Sequence, residues 1–371
     1  MMSAIQPLML MRIFQLRCKR CLQSGYYPGQ AVYRAWLLVL VQISVCSAAA
    51  PPGPATHSLG SAQLAVIVNE EDPLSKEIAA YYVEKRHIPV GNIVPVRFAP
   101  GQPVMRPKEF SRIMASVTAR VPASIQAYVL TWTNPYRVGC MSITTAFAAG
   151  YHEAFCAKGC KATLKSPYFD SDSHRPYDDF SWRPTMMLAG NDLAAVRALI
   201  DRGVAADGSR PQGRGYLVST ADRARNARAR FYSGILLLQS DRFDFKRVNA
   251  DALRYRTDVM FYFTGLAKVE GIATNTYLPG AIADHLTSAG GKLTNSGQMS
   301  SLRWLEAGAT GSYGTVVEPC SFVQKFPRPD IVIDRYLDGE TLLEAYWKSV
   351  AWPGQGVFIG EPLAAPFRNP P

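Results

Sequence analysis

The segment "QLAVIVNEEDPLSKEIAAYYVEKR", residues 63–86, decides the fold. Leu64 to Val68 form an apolar run that stops at the acidic, proline-bearing turn Glu70-Glu71-Asp72-Pro73. A short apolar run bounded by turn chemistry reads as a strand buried on both faces. Residues 74–86 then place Leu74, Ile78, Tyr81, Tyr82 and Lys85 at helical spacing, and Asp72 before Pro73 suits the N-cap of that helix. Working outward, residues 93–98 read as strand, 107–119 as helix and 125–131 as strand, which makes a βαβαβ unit. The fold class it implies is α/β: a mostly parallel, doubly wound sheet with helices on both faces. Further strands are expected at 185–189, 216–219, 259–263 and 311–317, and helices at 192–202, 279–288 and 341–350. Residues 133–184, rich in Pro, Ser, Asp and Tyr and without clean periodicity, are expected to form a long loop excursion.

Upstream, residues 35–46 ("AWLLVLVQISVC") are almost wholly apolar, preceded by Arg34 and followed by Ser47-Ala48-Ala49-Ala50. This is the pattern of a secretory signal peptide, whose apolar core of roughly 7–15 residues is too short for a stable membrane span. Cleavage is expected after Ala50. The preceding residues are expected to be an upstream extension, with translation starting at Met11 or, through a non-AUG codon, at Val32. Pro51 to Ala62 would then be a flexible mature N-terminus and residues 63–371 a single domain. Removing residues 1–50, which hold five basic residues and no acid, leaves 40 − 5 = 35 basic against 29 acidic residues. That mild excess does not call for nucleic acid, and no later stretch approaches a membrane span. Periplasmic or extracellular localisation is the expectation.

In an open parallel sheet, ligands bind beyond the carboxyl ends of the strands. That rule selects Asn69, Glu70 and Asp72; Trp132, Asn134 and Arg137; Thr220 and Asp222; Thr264; and Glu318 and Cys320. Of these, Asn69, Trp132, Asn134, Arg137, Thr220, Asp222 and Thr264 are candidate ligand-binding residues. Glu70, Asp72, Glu318 and Cys320 are the candidates for catalysis. Trp132, Tyr136 and Trp182 offer stacking surfaces for a glycan or peptide. The chain has no Gly-x-Ser-x-Gly elbow, His-Glu-x-x-His, phosphate-binding lysine loop or dinucleotide fingerprint. No metal and no cofactor is therefore expected. His285, read on the 279–288 helix, is expected to be a surface or hydrogen-bonded helix histidine.

Four cysteines follow the signal segment: Cys140, Cys156, Cys160 and Cys320. An even number in an exported chain argues for disulfides, with three connectivities open. The local spacing favours Cys156–Cys160, which would leave Cys140 to pair with Cys320. A nucleophilic Cys320 is the alternative, although the neighbouring Glu318 would raise its thiol pKa.

Four blocks, "DPLSKEIAAYYVEKRHIPVGNI", "PGAIADHLTSAGG", "QMSSLRWLEAGATGSYGTVVEPC" and "TLLEAYWKSVAWPGQGVFIGEPLAAPF", together resemble an uncharacterised bacterial family of exported proteins found in genomes that encode exosortase. The resemblance implies an envelope or extracellular location and no established reaction. The order "FTG", "TNTYLPGAIADHL", "GATGSYGT" also resembles the C-terminal half of caspase-like and gingipain-like cysteine peptidases. There Thr264-Gly265 would stand at the His-Gly position and Thr274-Asn275-Thr276 near the cysteine, so the dyad is not carried over. The expected function is binding of an envelope glycan or peptide in a strand-end cleft, with a hydrolase using carboxylates or Cys320 as the alternative.

Overall fold

The computed structural model describes residues 58–157 and 160–369, which lie in one compact unit, Pro54–Pro371. The expected signal segment and cleavage site, within residues 35–50, lie outside the described residues. The first half of the fold follows the expected winding: β1 (Leu64–Asn69), α1 (Pro73–Arg86), β2 (Ile93–Val96), β3 (Val104–Met105), α2 (Pro107–Arg120) and β4 (Ala127–Leu130). Asp72 caps α1, accepting from Leu74 N at 3.0 Å, a contact that typically contributes about 1 kcal/mol. The excursion holds short elements of its own, β5 (Arg137–Val138), β6 (Met141–Ser142), α3 (Ile143–Ala149) and α4 (Pro176–Phe180), before β7 (Thr185–Met187). Then come α5 (Leu193–Ala206), β8 (Arg214–Ser219), α6 (Tyr232–Leu238), β9 (Asp244–Asn249), β10 (Val259–Thr264), β11 (Tyr277–His285), α7 (Leu302–Glu306) and β12 (Gly311–Thr315). The chain closes with α8 (Pro329–Leu337), α9 (Leu342–Ser349) and β13 (Gly356–Gly360).

Ten strands form one sheet in the order β2-β1-β4-β7-β13-β12-β11-β10-β8-β9, and β3, β5 and β6 form a small second sheet. Strand β13 is antiparallel to β12 over five pairs, Gly311–Gly360 through Thr315–Gly356. A single bridge of parallel type, Ile359–Met187, joins it to β7. One bridge does not fix a strand's direction, whereas the ends of β13 do. Gly356 lies beside Thr315 at the carboxyl edge, and Glu361 reaches Arg86 at the end of α1 and Thr310 O at the amino edge. The other strands of the large sheet run one way, so the carboxyl ends of β1 and β12 share an edge. The architecture is thus α/β, mostly parallel and doubly wound.

The helix expected over 279–288 is instead strand β11. Residues 280–286 are buried throughout, and a strand covered on both faces shows no alternation by which to tell it from a buried helix. Asp284 of β11 and Arg228 are both buried, 2.5 Å apart. Arg228 also donates to Thr264 O (2.9 Å) and Pro327 O (3.2 Å). Burial pushes the Asp284 carboxyl up from its ordinary range despite the guanidinium. Arg228→Met should lower the unfolding free energy by at least about 3 kcal/mol in urea titration, because it strands a buried carboxylate and two carbonyls. Adding Asp284→Leu should recover part of that loss. A single variant as stable as wild type would remove the pair from the stability account.

The cysteine pairing differs from the expected one. The bonds are Cys140–Cys156 and Cys160–Cys320, with Cα separations of 5.4 and 5.5 Å. Helix α3 is the cause: it leaves the turn at Cys140 and the chain returns past Tyr151, whose hydroxyl lies 3.3 Å from the Cys140 sulfur. That brings Cys156 back to Cys140 and frees Cys160 for the loop after β12.

Candidate strand-end site and cleft

Apart from Arg137, which lies in the small sheet, the selected residues follow the carboxyl ends of strands of the large sheet and are spread along that edge. Asn69 is fully buried and its side chain is committed: Nδ2 donates to Phe98 O (2.9 Å), and Oδ1 accepts from Phe98 N (3.3 Å) and Glu71 N (3.2 Å). Glu70 pairs with Arg97 at 2.7 Å. Trp132 and Tyr136 are buried, with Trp132 Nε1 donating to Pro135 O at 3.3 Å, so both belong to the core and offer no stacking surface. Trp182 is half-buried, edge-on to Phe155 and Trp347. Arg137 sits in β5, its Nε buried and without a hydrogen-bond partner among the described residues. Glu318 accepts from Cys320 N at 2.7 Å.

These placements bear on hydrolysis. Four strand steps separate β1 from β12, which at about 4.8 Å each puts Glu70 and Asp72 roughly 19 Å from Glu318. A carboxylate pair acting on one glycosidic bond works at about 5–9.5 Å. Cys320, held in a disulfide, presents no thiolate.

A tighter cluster forms at the ends of β8, β10 and β11. Thr220 Oγ1 donates to Gly265 O (2.6 Å), and Asp222 binds Arg225 through its backbone N (3.1 Å) and Nη1 (2.8 Å). Arg225 Nε then reaches Thr287 Oγ1 (3.2 Å), which donates to Gln298 Oε1 (2.6 Å). Gly265 is required here because a Cβ would lie 1.8 Å from the Arg225 carbonyl oxygen. Thr264 Oγ1 is buried beside this cluster without a partner among the described residues. Leu286-Thr287-Ser288 follow the carboxyl end of β11, whereas Thr274 to Thr276 precede the strand at the opposite edge.

Gln298 also lines a cleft of about 770 Å³ between α7 and the β10–β11 crossover. That crossover, residues 265–276, carries only a single 3-10 turn, Ile272–Thr274, and no α-helix. Val269, Ile272, Leu293, Met299 and Leu302 supply apolar surface to it. Its charges come as pairs: Lys268–Glu270 at 2.8 Å and Arg303–Glu306 at 2.6 Å. Asn134 reaches the rim, accepting from Thr294 Oγ1 at 3.2 Å. Behind the wall His285 is buried, accepting from Trp304 Nε1 on Nδ1 (2.9 Å), with Nε2 3.1 Å from Met299 O. Lys268, Gln298 and Arg303 were missed in the sequence because the 279–288 segment read as helix hid the crossover. Among the described residues no group of three or more His, Cys, Asp or Glu is placed to hold a metal ion.

No protein-family model and no curated protein matches the chain. A solved structure described as "Structure of Protease" is similar over 84% of this chain and 80% of that chain, with 8% identity and a TM-score of 0.46. Among the described residues two disulfides are present, and no helix is long and apolar enough to cross a membrane.

Proposed function

We propose that this is an exported α/β binding protein that holds a segment of an envelope peptide or glycan in the cleft beside α7. The observation that carries the reading is the cleft itself, a space of about 770 Å³ opened where the β10–β11 crossover lacks a helix. Apolar side chains with a few convergent polar groups are the usual lining of a ligand site. Of the two ligand classes a peptide fits better. The lining includes no aromatic ring on which a sugar would stack, while its two ion pairs and the Gln298 amide suit peptide groups of either charge. The paired disulfides suit an oxidising compartment.

Gly297 provides the test. It lines the cleft with nothing within 4 Å of where a Cβ would sit, and its backbone lies outside the left-handed region, so a side chain can leave the backbone there without strain. Gly297→Trp should leave the melting temperature unchanged and weaken binding to hits from a peptide and oligosaccharide screen by about tenfold or more, the equivalent of ~1.4 kcal/mol. Undiminished binding would place the ligand elsewhere, and turnover of a bound hit would replace the binding reading with a hydrolytic one.

A further inference from the structure

A second groove lies on the opposite flank, between α2 and the edge strand β2. It encloses about 560 Å³ and is lined by Arg97, Arg112 and Arg120 together with Ser116 and Glu70. Arg112, Ser116 and Arg120 succeed one another at four-residue intervals, so they share one side of α2. The outer two are about 12 Å apart along the helix axis. Only one of the three arginines is neutralised: Arg97 pairs with Glu70 at 2.7 Å. Arg120 spends one Nη on Pro95 O (2.8 Å), and Arg112 has no ion-pair partner among the described residues.

We propose that this groove binds a linear acidic polysaccharide through its carboxylates. A guanidinium fork matches a carboxylate with two parallel hydrogen bonds, which a lysine does not. Two such forks about 12 Å apart on one helix suit an anion that repeats along a chain better than a single small anion. Single-stranded nucleic acid is the competing polyanion, but its binding relies on aromatic stacking platforms, and no aromatic ring lines this groove. Ser116 provides a hydroxyl partner for sugar hydroxyls.

Polygalacturonate is a defined probe, with neutral dextran and oligo(dT) as the comparison arms. Wild-type protein should bind polygalacturonate at low salt, bind dextran far more weakly, and lose affinity as salt rises. The double variant Arg112→Glu, Arg120→Glu, both at exposed positions, should keep its melting temperature and bind about tenfold more weakly or worse. Gly297→Trp should bind polygalacturonate like wild type, which separates this groove from the cleft beside α7. Failure of wild type to bind, equal affinity in the double variant, or oligo(dT) binding as tight as polygalacturonate would each overturn the proposal.

Discussion

Cys320→Ser should lower the unfolding free energy by about 5 kcal/mol under non-reducing conditions, because the Cys160–Cys320 bond closes a sequence separation of 160 residues. The same chain-entropy reasoning gives Cys140→Ser only about 3 kcal/mol, since its loop spans 16 residues. The longer bond also has the larger structural reach. It ties the excursion between β4 and β7 to the loop leaving β12, segments that belong to different runs of the sheet. Urea titrations of both variants with and without reductant would check the order, and reductant should erase each variant's deficit relative to wild type. Ligand binding by the folded fraction should survive, because neither cysteine lines the cleft beside α7. A proteolytic map linking Cys140 to Cys320, or equal losses in the two variants, would contradict the assignment.

What the sequence revealed of the fold follows from where its patterns were exposed to solvent on one side. Helix α2 buries Phe110, Ile113 and Val117 and leaves Arg112 and Arg120 outside, so its periodicity is plain. Strand β11 has no such contrast, since its apolar residues are covered on both faces. Misreading it as a helix had a second cost, because the crossover that opens the cleft exists only once residues 277–285 are a strand. Parallel strands need a connection of about a dozen residues or more, usually helical. Residues 265–276 barely meet that length and show no helical period, a signal that becomes legible as soon as both flanking strands are known. The cysteine pairing was not legible, because composition gives the number of bonds and only the return of the chain after α3 chooses among connectivities. Candidate residues selected by the strand-end rule follow strands of the large sheet that run one way, except Arg137, which lies in β5 of the small sheet. Most serve as caps or ties there, as Asp72, Asn69 and Thr220 do.

His285 should make the protein markedly less stable in acid than its carboxylates alone would. Burial lowers its imidazole from 6.5 to about 3, with Arg228 and Arg225 opposing a further positive charge and the Met299 carbonyl partly favouring it. The geometry fixes the neutral form. Trp304 Nε1 is a donor only, so Nδ1 must accept and Nε2 carries the hydrogen donated to Met299 O. A second proton on Nδ1 would break the bond to a buried indole. Between the two pKa values the unfolded chain binds the proton and the folded chain does not, so stability falls as pH drops from 6.5 towards 3. The full difference corresponds to about 5 kcal/mol, and slightly more than half of it is already lost at about pH 4.5. His285→Gln removes the titration while its amide can still accept from Trp304 and donate to Met299 O. Urea titrations should therefore show wild type losing about 3 kcal/mol more than this variant between about pH 7 and pH 4.5. The functional consequence is a charge-free wall behind the cleft at any physiological pH. A general base needs a free nitrogen and a pKa near the working pH, and His285 has both nitrogens committed. An imidazole resonance titrating near 6 in the folded protein would overturn this account and make His285 a proton acceptor at the site.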